Sequence, residues 1–258
     1  MEKTFADGMI SGELLIPFAN MPGSTNNNPN GTVGAAPSEV ELLDIAFGLK
    51  ALLLQTENAS LSAGFRVEAP TRDDTEFPNA TGPYIVEQEV WKVTPYLALL
   101  LTPSDDIFFQ AFAAYRMPTT DLVEVPGDGS GPFALREPNY LQLDAQLGKW
   151  LYRNAGGSGL TGLQAKLELH YTGTFEPYNP ENTFNFGAST YGGETDTLNL
   201  TTGLTALLND KTTITAGMVL PVRDVKDSTI PDSGGLTGPT DRQFDYEFVL
   251  QVNHYFGN

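Results

Sequence analysis

The chain has 258 residues and carries 14 Lys and Arg against 32 Asp and Glu, a formal net charge of −18. Such a balance argues against nucleic-acid binding, because phosphate contacts need a basic surface, and it disfavours a peripheral helix on anionic lipid. The absence of cysteine excludes disulfides, thiolate metal sites and a cysteine nucleophile.

Glycine (26) and proline (18) break the chain into short apolar runs, the pattern of a β protein. No run of about 18 apolar residues occurs, so no transmembrane helix is available. The longest apolar patch, Tyr96 to Leu101, is strand-sized. Residues 1–10 hold one Lys and no apolar h-region, so no signal peptide is visible. We read the chain as lacking its natural N-terminus, which leaves a preceding hairpin as an open alternative.

In chain order, Met9 to Phe18 reads as a first strand, followed by a long polar loop. Glu39 to Gln55 alternates, with Leu43, Ile45, Phe47, Leu49, Ala51 and Leu53 on one face and Asp44, Ala46, Gly48 and Lys50 on the other. Leu, Ala and Lys are good helix formers, but the alternation continues past a turn at Thr56–Ala59 into Leu61, Ala63, Phe65 and Val67, with Arg66 and Glu68 between. A loop runs from Pro70 to about Glu87. Trp91, Val93, Leu97, Leu99 and Leu101 then oppose Lys92, Thr94 and Tyr96. Pro95 inside that run marks an expected bulge.

After a turn at Thr102–Asp105, Ile107 to Arg116 has partly apolar character on both faces. A loop from Pro118 to about Pro138 precedes Leu141, Leu143, Ala145, Leu147 and Leu151, set against Gln142, Asp144 and Gln146. Beyond the Gly-rich turn Asn154–Gly159 come Leu163, Ala165, Leu167, Leu169 and Tyr171 against Lys166, Glu168 and His170. A further hairpin follows, Leu198 to Leu208 and Ile214 to Val222, turning at Asn209-Asp210-Lys211. The closing stretch, Phe244 to Phe256, alternates Phe244, Tyr246, Phe248, Leu250 and Val252 with Asp245, Glu247, Gln251 and Asn253.

About ten strands of roughly ten residues result, close to the length a tilted strand needs to cross a bilayer. Connections alternate strictly, short near residues 57, 104, 156 and 210 and long near 28, 79, 128, 185 and 233. Short turns at one rim and long loops at the other organise a membrane barrel. Aromatics recur at strand ends (Trp91, Tyr115, Trp150, Tyr152, Tyr171, Tyr246, Phe256), as interfacial girdles do. The expected fold is one all-β domain over residues 1–258, an antiparallel up-and-down transmembrane β-barrel of about 10–12 strands. The expected lumen-lining residues are Asp44, Lys50, Arg66, Glu68, Lys92, Arg116, Asp144, Lys166, Glu168, His170, Asp245 and Glu247. Their charges nearly cancel, which implies weak ion selectivity.

Several pieces carry a family resemblance. They are Ile10 to Phe18, Val93-Thr94-Pro95-Tyr96-Leu97-Ala98-Leu99-Leu100, Asp106 to Phe112, and Leu208-Asn209-Asp210-Lys211 ahead of Leu220-Pro221-Val222. The chain resembles the transporter-like outer-membrane barrels that include the phenol-degradation (MetA-pathway) group and planctomycete-type relatives. The resemblance implies a bacterial outer membrane and uptake of small molecules, and it supplies no catalytic residues. Gly257 and Asn258 follow Phe256, a departure from the terminal aromatic that barrel-assembly machinery reads in this class.

His170 and His254 are the only histidines, too few and too far apart in the chain for a histidine metal site. A barrel hydrolase would need a serine beside a lipid-facing histidine, and the closing strand has none. Asp73-Asp74 and Asp105-Asp106 lack EF-hand spacing. The reading is therefore a non-enzyme without metal or cofactor. Its partners are outer-membrane lipid, small-molecule solutes and, through the C-terminal strand, the assembly machinery. It acts as a channel or transporter for small molecules. Two alternatives stand beside it: a non-conducting structural or adhesive outer-membrane barrel, and a soluble secreted β-sandwich binding module.

Overall fold

A computed structural model describes residues 2–21, 39–77, 84–87, 89–120, 122–125, 133–135, 138–154, 156–175, 196–223, 227–228, 238–239 and 244–255. Eleven strands form one sheet: β1 (Glu2–Phe5), β2 (Ile10–Leu15), β3 (Ile45–Gln55), β4 (Ala59–Ala69), β5 (Lys92–Leu101), β6 (Ile107–Pro118), β7 (Tyr140–Arg153), β8 (Leu160–Thr174), β9 (Asp196–Leu208), β10 (Thr212–Pro221) and β11 (Glu247–His254). They lie side by side in chain order, and every neighbouring pair is antiparallel. This is an up-and-down sheet, all-β as the alternation predicts. No pairing joins β1 to β11.

The strands exist because period-2 sequences give each of them one apolar and one polar face. The sheet turns these faces the opposite way from a water-soluble core. Leu49, Leu97, Leu147 and Leu204 are each about half exposed, and Phe248 is 74% exposed. On the other face Ala46, Lys92, Ala114 and Thr205 are each 3% exposed. Among the described residues no other sheet packs on the polar face; a curl of the sheet towards that face would account for its burial.

The short connections form one tied rim. Asn209 and Asp210 both take positive φ, 50° and 55°, a conformation that Asn and Asp tolerate. Lys211 N–H donates back to the Leu208 carbonyl at 3.1 Å. The next turn is stitched on, because Gly159 N–H donates to Asn209 Oδ1 at 2.7 Å and Gly156 N–H to Asp210 Oδ2 at 2.9 Å. Tyr255 N–H reaches the Lys211 carbonyl at 2.8 Å, which places the end of β11 at this same rim.

Several expectations need correction. The N-terminal segment makes two sheet strands rather than one. Glu2–Phe5, too short to show a period, turns through Ala6 and Asp7 into β2. The run from Met9 to Phe18 is interrupted at Ile16-Pro17, and Phe18–Met21 pairs instead with Glu39–Leu42. That pairing also splits Glu39 to Gln55, since Leu43 and Asp44 fall between strands.

Parts of two long connections, read as loops, carry a separate four-stranded sheet of Thr75–Phe77, Tyr84–Glu87, Leu122–Val125 and Phe133–Leu135. Pro95 makes no bulge, because the register of β4 against β5 runs through Phe65↔Pro95 without a shift. The shifts lie at Leu52/Leu54, Trp150/Tyr152 and Leu160/Gly162, beside the short turns. The closing strand starts at Glu247, so Phe244 to Tyr246 lie ahead of it. Phe256 falls outside the described residues.

Candidate functional site

The polar face of the sheet is the candidate site. Residues directly opposite in register share a face, so Gly48↔Arg66, Ala46↔Glu68, Glu68↔Lys92, Asp144↔His170, Glu168↔Gln146 and Lys166↔Gly148 place most of the predicted lumen residues together. Lys50 lies opposite Ser11, and Arg116 opposite Tyr140. Glu247 opens β11 opposite Val219. Asp44 sits one residue before β3, and Asp245 two residues before β11 and exposed. Asp245 is thus not a strand residue, a correction that follows from the later start of β11.

Four ion pairs organise one half of this face. Lys50 Nζ meets Glu2 Oε1 at 2.8 Å, and Arg66 donates to both Glu13 oxygens at 3.2 and 3.3 Å. Lys92 Nζ meets Asp44 Oδ2 at 3.1 Å, and Arg116 donates to Glu68 Oε2 from Nη2 at 3.0 Å and from Nε at 3.3 Å. Three of them, Glu2–Lys50, Glu13–Arg66 and Glu68–Arg116, reach over an intervening strand, a span of about 9.6 Å at ordinary strand spacing. That reach needs long side chains with small ones between them. Gly48 lies in register between Glu13 and Arg66, and a methyl there would come within 3.3 Å of Glu13 Oε2. The pairs draw second-neighbour strands together on this face only, so they favour the curl. Lys92, 4% exposed along its side chain, can be buried because Asp44 holds it.

Two cavities open on this face. The first, about 430 Å³, lies at the long-loop end of β2 to β6. Arg66, Arg72, Lys92 and Arg116 line it with Asp44 and Glu68, and Leu15, Pro17, Leu43 and Ala46 complete the wall. The second, about 410 Å³, lies across β4 to β8 and is lined by Ser60, Ser62, Gln110, Gln146, Asp144, Glu168 and His170 among others. Inward-facing rings lie along the same strands. Tyr96 and Phe112 have centroids 5.4 Å apart, and Tyr96 covers Gly64 while Phe108 covers Gly148.

Trp150 joins these inward rings, 6.5 Å from Phe108 with Arg153 over its face at 5.1 Å. It therefore does not belong to an outward girdle, because it keeps the register of Gly148 and Gln146 up to the bulge that follows it. By contrast, beyond Glu247 the polar face of β9 to β11 presents neutral groups. Thr205 and Thr215 hydroxyls meet at 2.8 Å, and Asn253 Nδ2 donates to Thr213 at 3.3 Å.

His170 has both ring nitrogens engaged, Nδ1 with Asp144 Oδ1 at 2.7 Å and Nε2 with Glu168 Oε2 at 3.2 Å. Neither nitrogen is left to activate Ser60 or Ser62 in the same cavity. Among the described residues no three His, Asp or Glu side chains are grouped to hold a metal ion.

The candidate residues did not include Glu2, Glu13, Arg72, Ser60, Ser62 or Gln110, although the alternation puts Ser62 and Gln110 on the same face as Arg66 and Arg116. Glu13 was visible as the polar member of an alternating run. Glu2 and Arg72 lie in stretches too short or irregular to show a face. No protein-family model matches the chain, and no curated protein matches it.

Proposed function

We propose that this chain is an outer-membrane β-barrel that admits small molecules as a channel or transporter. One observation carries the reading: the long strands expose their Leu, Val and Phe face and bury Lys92 and Thr205 on the opposite face, where the ion pairs lie. In water that arrangement forfeits about 25 cal/mol for each Å² of apolar surface left wet. In lipid it is the arrangement expected of a barrel wall.

Strand length supports the same reading. β3 to β10 run from 10 to 15 residues, against a usual five or six and a need of about nine to eleven for a crossing. The cavities on the polar face favour a conducting role over a purely structural one. No catalytic role is proposed for His170.

Refolding into detergent and then into planar bilayers tests both halves. A heat-modifiable band on gels and discrete current steps are the expected results. A chain that stays monomeric and soluble without detergent removes the membrane reading, and a folded, heat-modifiable but silent protein removes the channel.

A further inference from the structure

Two neighbouring rows of the polar face build the cavity across β4 to β8. In one row Ser60, Leu100, Gln110, Gln146 and Glu168 lie side by side in register. In the next, two residues along each strand, stand Ser62, Ala98, Phe112, Asp144 and His170. The rows are about 7 Å apart, and neighbours within a row about 4.8 Å. About 410 Å³ opens over them, within the range of small-molecule sites.

The rows hold hydrogen-bonding groups around a ring. Ser60, Ser62, Gln110 and Gln146 line the cavity, and among the described residues their side chains have no hydrogen-bond partner. Each hydroxyl both donates and accepts, and each amide offers two donors and a carbonyl oxygen. Asp144 Oδ1 and Glu168 Oε2 are taken by His170, which leaves Asp144 Oδ2 and Glu168 Oε1 as acceptors. Phe112 stands between Ala98 and Asp144 in register, its ring propped by Tyr96 at 5.4 Å.

Charge narrows the ligand. Among the described residues no Lys or Arg lines this cavity, so an anion meets two carboxylates with only His170 between them. A small cation finds one oxygen of each carboxylate already engaged. A neutral solute with several hydroxyls meets neither conflict. Its O–H edges suit the amides and the remaining carboxylate oxygens, and its C–H face suits the negative face of an aromatic ring.

We propose that this cavity is a binding subsite for a neutral polyhydroxylated solute of monosaccharide size. Gln110, Gln146 and the two carboxylates hold its hydroxyls, and Phe112 takes its C–H face. The proposal names the solute class for the channel reading and rests on that reading for the ligand's route through the lumen.

The test is a ligand-observed NMR titration of methyl α-glucopyranoside on the protein folded in an amine-oxide detergent, which carries no sugar. Cyclohexanol, a ring with one hydroxyl, and gluconate, an anionic polyol, are comparison probes, with empty micelles as the blank. The glucoside is expected to bind saturably, about fivefold or more tighter than either probe. Gln110→Leu is expected to weaken it about fivefold, the worth of one neutral hydrogen bond, while Gln251→Ala, on the polar face of β11, leaves it unchanged. If Gln110→Leu fails to give a heat-modifiable band, Gln146→Ala replaces it, with the same loss expected.

No saturable binding, cyclohexanol or gluconate binding as tightly as the glucoside, or a folded variant at Gln110 or Gln146 with unchanged affinity would overturn the assignment. Binding is read here without current. A protein that binds the glucoside but conducts nothing refutes the channel and leaves the subsite. One that conducts but ignores the glucoside refutes the subsite alone.

Discussion

Leu167→Arg tests the exposed apolar face at its centre. Leu167 is seven residues from either end of β8, a 15-residue strand, and is 47% exposed. At about 3.4 Å per residue such a strand is about 50 Å long, or about 38 Å along the membrane normal at a tilt near 40°. In the proposed barrel it would overshoot an apolar band of about 25 Å at both ends, placing Leu167 near the midplane.

An arginine facing lipid there costs about 2–4 kcal/mol, roughly a 30- to 1000-fold shift in the folding equilibrium. On a water-exposed surface the same change stays within about 0.5 kcal/mol. Gln164→Arg, three residues along on the polar face, is the control and is expected to cost about 1 kcal/mol or less. The assay is reversible urea unfolding in lipid vesicles, followed by tryptophan fluorescence. Equal stability of wild type and Leu167→Arg would refute the assignment of this face to lipid.

Gly203 faces Gly217 across β9 and β10, and a Cβ at Gly203 would lie 2.8 Å from the Ala216 carbonyl oxygen. Gly203→Ala is therefore expected to lower stability by about 1–3 kcal/mol by overpacking, reversing the gain that Ala usually brings to a strand interior; a raised urea midpoint would contradict this. Glu68 and Arg116 are three-quarters or more buried along their side chains, so a double-mutant cycle with Glu68→Gln and Arg116→Gln should give a coupling of about 1–2 kcal/mol. Additive losses would show that the pair does not act as a unit.

In the turn rim, the Thr161 hydroxyl and then the Gly156 amide hold the Asp210 carboxyl below its ordinary range. With its folded value depressed, the tie to Gly156 is complete above the usual carboxylate pKa and is lost as pH falls through the lowered one. The Gly156 amide shift should follow that titration and lose it in Asp210→Ala. A midpoint at or above the ordinary value would contradict the assignment.

What was legible in the sequence tracks how long a pattern runs. Eight of the sheet strands exceed nine residues, and Leu141 to Leu151 or Leu198 to Leu208 repeat the period often enough to fix both the strand and its polar side. The turn at Asn209-Asp210 was legible because those residues tolerate positive φ. β1, with four residues, offers two alternations at most, and Glu2 was lost with it.

Pro95 misled because proline removes one donor, and here the ladder continues past the missing bond without changing register. Trp150 misled because position near a strand end was taken to decide its side, whereas the parity of Gln146 and Gly148 decides it. The cation-lined cavity was out of reach for another reason: Arg72 follows β4 in chain order but meets Asp44 only through the pairing of β3 with β4.

The count of eleven antiparallel strands fixes what any seam can be. β1 and β11 both run towards the short-turn rim, so a seam between them is a parallel pair. An antiparallel seam requires β11 to meet β2 instead, across the place now occupied by β1. That strand is held by four register pairs, the Glu2–Lys50 bridge and the Thr4–Ser11 contact at 3.4 Å, while β8 is held by thirteen register pairs on each side. In the proposed barrel, the choice of seam, and with it the circumference, would therefore rest on the shortest strand of the sheet.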